Sequence, residues 1–269
     1  MDRQPIVDGK FYPGTRESWE KGVIGYLNQD SSGPVRSPLL VMLPHAGHVF
    51  SGGVAGMTLA RSRLEETVVL LGPNHTGQGD KLALWPEGSW HLPGASIRVD
   101  QALAQEILAG CPAIHSDTAA HQHEHSLEVI LPFLWALNKQ TSVVPICVSE
   151  PDLETLIRAG QNLAAVIKNH GSGVSTVVSS DMSHFISQKE AEHQDQKALQ
   201  AIPDLDPERL FAVVRDNGIS MCGVLPMTLG LSMARELGAT RAEVVHYATS
   251  GDVIGDYSHV VGYAGVLVW

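Results

Sequence analysis

The chain has 269 residues, 43% apolar and 17% charged, which is enough to bury a sizeable core in a single α/β domain over residues 1–269 and excludes a disordered chain. A net charge of −11 with histidine neutral, and no cluster of Lys and Arg, speaks against nucleic acid or an anionic membrane as partner, because both need a positive field. Cys111, Cys147 and Cys222 form no CxxC pair or disulfide framework, residues 1–13 carry charges where a leader peptide is greasy, and no apolar run nears the roughly 20 residues of a membrane span, so the expectation is a cytoplasmic protein.

Residues 31–38 are turn-rich and give way to an apolar run over 39–43, the first predicted strand. A helix rich in small residues over 52–64 leads to a second apolar run over 67–71, which stops at Gly72-Pro73. This is a β-loop-α-β unit, the building block of parallel sheets. Further strands are predicted over 81–85, 142–148, 174–179, 242–248 and 260–268. Helices are predicted over 100–109, 126–138, 153–169, 188–200, 207–216 and 223–237. In the last, Val224, Met227, Thr228, Leu231 and Ala234 recur on one face. Gly251 to Asp256 reads as a turn between the final two strands. With no repeat or long linker, the alternation predicts an α/β sandwich with a mostly parallel central sheet flanked by helices.

Polar residues gather just beyond the predicted strands. The first runs into Pro44-His45-Ala46-Gly47-His48, the second into Gly72-Pro73-Asn74-His75-Thr76-Gly77, and the strand over 174–179 into Ser180-Asp181-Met182-Ser183-His184. Ligands of open α/β sheets bind outside the carboxyl ends of strands, where such loops converge. Imidazole is the commonest metal ligand near neutral pH. With thirteen histidines present, position singles out His45 and His75. Cys222 reads either as a small buried hydrophobe or as a thiol eased toward thiolate by a helix start.

The tract His121-Gln122-His123-Glu124-His125-Ser126-Leu127-Glu128 reads either as a metal-binding stretch or as an ordinary capped helix start. Within it, His125 and Glu128 are the candidates for an outer-shell or substrate-facing role, and His121 and His123 are expected to be solvated. Asp181 and His184, three residues apart, would share a face on a helical turn. They read either as an acid/base pair or as a helix cap with a core histidine. GxGxxG, Walker, GxSxG and HExxH motifs are absent.

Taken together, Asp8-Gly9-Lys10-Phe11-Tyr12-Pro13, Pro44-His45-Ala46-Gly47, Phe50-Ser51-Gly52, Gly72 to Gly77, Glu124 to Glu128, Leu131-Pro132-Phe133, Ser180 to His184, Cys222-Gly223 and Val261-Gly262-Tyr263-Ala264 span almost the whole chain. In this order they resemble the Memo family, called AmmeMemoRadiSam system protein B in prokaryotes. The resemblance implies a fold similar to the class III, LigB-like extradiol dioxygenases, which use Fe(II) held by two histidines and a glutamate. It places the metal ligands at His45, His75 and Cys222, with Cys222 standing where the carboxylate would be. Asp181, His184 and His125 match pocket residues, His184 in the place of a catalytic histidine. A thiolate tolerates copper or zinc as well as the favoured Fe(II). Family members carry tyrosines in the loop after His45; here His48 and Phe50 stand there, and His48 offers a further donor or fourth ligand.

The leading expectation is therefore a metal-dependent, dioxygenase-like oxidoreductase acting on a small organic substrate, with His184 moving a proton and Asp181 orienting it. A non-enzymatic peptide- or metabolite-binding protein and a zinc-dependent hydrolase are the alternatives. The family name also implies a functional link to a radical SAM enzyme and an AMMECR-type protein.

Overall fold

Strands buried at every residue set the layout. In the computed structural model, which describes residues 1–29 and 33–269, the first of them follows a short lead-in. Residues 31 and 32 of the turn-rich 31–38 stretch lie outside the described residues. The lead-in comprises β1 (Asp2–Arg3) and α1 (Arg16–Leu27), which starts where the Thr15 side chain accepts from the Ser18 N–H. Next come β2 (Leu40–Leu43), α2 (His48–Ala60) and β3 (Thr67–Pro73). Three short strands follow, β4 (Leu82–Leu84), β5 (Ser89–Leu92) and β6 (Ala95–Val99). The turn between the last two is Pro93-Gly94, where Gly94 takes φ 72°, a position that favours glycine.

After α3 (Gln101–Gly110), β7 (His115–Ser116) and α4 (Ala119–Gln122), a 3-10 turn at Glu128–Ile130 leads into α5 (Leu131–Leu137). Sequence pattern alone predicts one helix over 126–138. Pro132 lacks an N–H and fits the first turn of α5, so the α-helix proper begins only there. The chain continues through β8 (Ser142–Val148), α6 (Leu153–Asn169), β9 (Val174–Ser179), β10 (Asp181–Ile186), α7 (Gln188–Ala201) and α8 (Pro207–Asp216). It closes with α9 (Val224–Glu236), β11 (Ala242–Thr249), α10 (Gly251–Ile254) and β12 (Val260–Val268). The turn expected at Gly251 is a single helical turn, ended by Gly255 at φ 76°.

Among the described residues the sheet has twelve strands, with β6, β8, β3, β9 and β2 side by side and parallel at its centre. β12 joins antiparallel beside β2 and carries β10 and β11. The expected α/β sandwich with a mostly parallel centre is thus the observed fold. Strands β2, β3 and β9 are buried at every residue, which is why they read as continuous apolar runs rather than alternating ones. Helices α1, α2 and α5 pack together as one group, and α3, α6, α8 and α9 as another. Where α1 and α2 meet, a Cβ on Gly56 would lie 2.5 Å from the Tyr26 backbone, so only glycine permits the approach. No helix of the described residues is long and apolar enough to cross a membrane.

Candidate metal centre

The parallel strands β2, β3 and β9 lead at their carboxyl ends into the site residues. His45 stands two residues beyond β2, His75 two beyond β3, and Asp181 opens β10 immediately after β9. His125 lies in the loop between α4 and the 3-10 turn, and Cys222 precedes Gly223, the N-cap of α9. Ring nitrogens of His45, His75 and His125 lie within 4.8 Å of one another. The Cys222 Sγ is 3.4 Å from His45 Nε2, and Asp181 Oδ2 is 4.0 Å from the same atom.

Hydrogen bonds decide which nitrogens are free. His45 Nδ1 lies 2.6 Å from Ser179 Oγ, and that hydroxyl donates onward to the Ser126 carbonyl at 2.7 Å. The hydroxyl proton being committed, Ser179 accepts from His45 Nδ1–H, which leaves His45 Nε2 as a bare lone pair facing the cluster. His75 is arranged the same way: its Nδ1 donates to Glu124 Oε1 at 2.9 Å, and its backbone N–H to Glu124 Oε2. Glu124 Oε1 also accepts from the Ser126 N–H at 2.8 Å and lies 3.4 Å from His125 Nδ1. The His75 and His125 rings stack at 4.9 Å with 24° between their planes. Ser126 Oγ donates to the Pro73 carbonyl, tying the His125 loop to the end of β3.

Burial sets the protonation states. His45 is held well below 6.5 by burial and by the neighbouring histidines, so its imidazole is neutral, the form that ligates metal. His125 is lowered by burial too. Burial alone would lower His75, but the Glu124 carboxylate outweighs it and raises the group. Asp181 rises to about 6, chiefly through burial, against the N–H groups of His45 and Ala46. Burial also pushes the Cys222 thiol well above 9.0, so the eased deprotonation expected of a helix start is not what the bare pocket provides. The Asp181 N–H donates to Cys222 Sγ at 3.2 Å. A cation replacing the thiol proton relieves that desolvation directly. Two tautomer-locked imidazoles and a third beside them form a three-nitrogen group able to hold a single metal ion, while Cys222, expected as the third ligand, lies close to His45 but outside that group.

Several expectations need correcting. Asp181 and His184 lie on β10, not on a helical turn, and the pairing with β12 shifts register on both sides of His184. Asp181 does not orient His184. Ser220 does, accepting from His184 Nδ1 at 3.0 Å through its carbonyl and from His184 N–H at 2.8 Å through its hydroxyl. His48 faces away from the centre: its Nε2 donates to the Val129 carbonyl at 2.9 Å and its ring packs on Phe133, so it is no fourth ligand. Glu128 is no outer-shell group. It is fully buried in an ion pair with Arg3 at 2.7 Å and accepts from Tyr12 Oη–H and the N–H groups of Ile6 and Val7. Glu124 holds the outer-shell position instead, at the opposite end of the same short motif.

His123 is exposed as expected, but His121 is completely buried. His121 Nε2 donates to the Ala83 carbonyl, and Cys147 Sγ lies 3.4 Å from His121 Nδ1. A cavity of about 260 Å³ lined by Lys10, Phe11, Tyr26 and His48 adjoins the centre through Phe11, whose ring packs on His125 at 4.8 Å, and holds none of the donors.

Fold and donor cluster define an α/β protein with a group of histidines able to hold a metal ion at the carboxyl edge of its parallel strands. The particular family follows from comparison: the Memo-like protein family matches residues 3–267, and the chain belongs to it. It is 37% identical over 280 residues to a MEMO1 family protein of Methanopyrus kandleri, covering 99% of each chain. A MEMO1 family protein of Aquifex aeolicus is 37% identical over 266 residues and covers 98% of each. Among solved structures, an uncharacterized protein from Escherichia coli K12 superposes with a TM-score of 0.58 over 86% of this chain and 100% of that one. At 12% identity that likeness speaks for the fold alone.

Proposed function

We propose that His45 and His75, completed by Cys222 and His125, hold one metal ion, and that the protein is an oxidoreductase acting on a small organic molecule in the cytoplasm. One observation carries the reading: three ring nitrogens from separate loops lie within 4.8 Å of one another, with a thiol sulfur 3.4 Å from His45 Nε2. His45 is buried and neutral, and two further imidazoles on separate loops turn toward it, which is the arrangement a bound ion requires. When bound, the ion supplies Lewis-acid or one-electron chemistry with positions left open to substrate. Fe(II) is the favoured ion, with copper or zinc as alternatives.

The chain's own residues supply the proton handling. Asp181 Oδ2 lies 4.0 Å from His45 Nε2, and burial raises its carboxyl above the ordinary carboxylate range, which suits it to take up a proton beside the cluster. His184, its Nδ1–H committed to Ser220, presents Nε2 as the acceptor for a substrate proton. His125 both borders the donor cluster and, half-buried, reaches toward the solvent side.

A zinc-dependent hydrolase is the second reading, favoured by the three-imidazole grouping. A functional link to radical SAM and AMMECR-type proteins belongs to the same proposal. The test is elemental analysis of anaerobically purified wild type beside His45→Ala, His75→Ala and Cys222→Ala. Wild type is expected to carry one ion per chain and the variants much less. Full stoichiometry in all three variants overturns the site, and zinc alone in wild type moves the reading to hydrolysis.

A further inference from the structure

Among the described residues, two that are not glycine adopt positive φ: Phe185 at 58° and Leu205 at 54°. That region crowds any Cβ and is uncommon for bulky side chains. Leu205 has an evident compensation. It is 8% exposed, belongs to the apolar core and closes a second 3-10 turn, Ile202–Asp204, by donating its N–H to the Ile202 carbonyl. Phe185 has none. Its side chain is 74% exposed and joins no part of the core. A strained backbone that presents an apolar ring to water is unfavourable twice over, and such strain gathers at ligand clamps.

Position says which ligand. The register shifts flanking His184 release it and Phe185 from the regular alternation of β10. The Phe185 ring stands against His184, centroids 5.8 Å apart with 61° between planes. His184 is fastened at two atoms to Ser220, two residues before Cys222. Phe185 therefore stands beside His184, whose charge reaches His45 and Asp181.

We propose that Phe185 is the specificity-determining wall of the metal pocket and selects ligands that carry a planar apolar group beside the atoms that bind the ion. This rests on the metal-pocket reading above. The ring faces the substrate's apolar part, and burial on binding offsets the exposure of Phe185 in the free protein.

The experiment uses Co(II)-loaded protein and two probes with one chelating headgroup, acetohydroxamate and benzohydroxamate, followed by the visible spectrum. Wild type is expected to prefer benzohydroxamate by about three- to tenfold beyond their difference toward free Co(II), the scale of one aromatic contact. Phe185→Gly should erase that preference and leave acetohydroxamate affinity unchanged. Its melting temperature should not fall, since glycine tolerates the φ. Phe185→Tyr should keep the preference. A preference that persists in Phe185→Gly overturns the proposal while leaving the metal pocket intact. Absence of any Co(II)-dependent response to acetohydroxamate in wild type overturns the metal pocket, and the proposal with it.

Discussion

His75 is held twice by Glu124, through its backbone N–H and through Nδ1 at 2.9 Å from Oε1. The carboxylate therefore fixes where the residue sits and which ring nitrogen is bare. Glu124→Gln keeps an acceptor of the same shape but removes the charge that makes the imidazole a better donor. Metal affinity, measured by competition with a chromophoric chelator, is expected to fall about 10–100-fold, as for other carboxylate partners of metal-bound histidines. An unchanged affinity would show that Glu124 serves the loop and not the ion.

Cys222 and His125 make different statements under spectroscopy. In Co(II)-loaded protein a coordinating sulfur gives thiolate-to-metal charge transfer in the near ultraviolet. Cys222→Ser is expected to lose that band and His125→Ala to keep it. If wild type lacks the band, sulfur lies outside the coordination sphere and the three imidazoles are the ligands.

Burial holds His121 near about 4, below its ordinary 6.5, so it folds neutral. An unfolded chain takes up the proton first. The stability tied to neutral His121 is thus complete above about 6.5 and drains away as pH falls from there toward about 4, by at most about 3 kcal/mol. His121→Gln, whose amide N–H can still reach the Ala83 carbonyl, is expected to flatten the pH dependence of the urea midpoint across that window. An identical slope in the variant would assign the loss to other groups.

The ion pair between Arg3 and Glu128 is buried on both sides, with 3% and 0% of the side chains exposed. Arg3→Met leaves a carboxylate with only neutral partners and is expected to destabilise the fold by about 3–5 kcal/mol. Adding Glu128→Gln in the same chain should recover part of that loss. Denaturation of both variants and the double variant gives the coupling directly. Strict additivity would mean the pair does not interact.

What was legible in the sequence follows from burial. β2, β3 and β9 are covered on both faces, so their apolar runs showed them, and the residues just past two of these runs, His45 and His75, came with them. Helix α1 went unread because it buries only Trp19 and Val23 among polar neighbours. The spacing of Asp181 and His184 suits a helical turn, and nothing in it betrays two register shifts in a strand. Glu124 and Glu128 are four residues apart around one short turn, and spacing cannot say which carboxylate turns toward His75 and which toward Arg3. That choice is made by residues 3–12, more than a hundred positions away. His121 looked like a surface residue of a polar tract; the carbonyl of Ala83, from a different strand, is what draws it inside.

The donors are also spread along the chain in time. Ribosomes release His45 and His75 early, His125 midway and Cys222 only after α8 has been made, 177 residues behind His45. A nascent or truncated polypeptide offers imidazoles without the sulfur, and the β12 strand that braces β2 comes later still. A site that used all four of these side chains would be complete only after nearly the entire protein had been made.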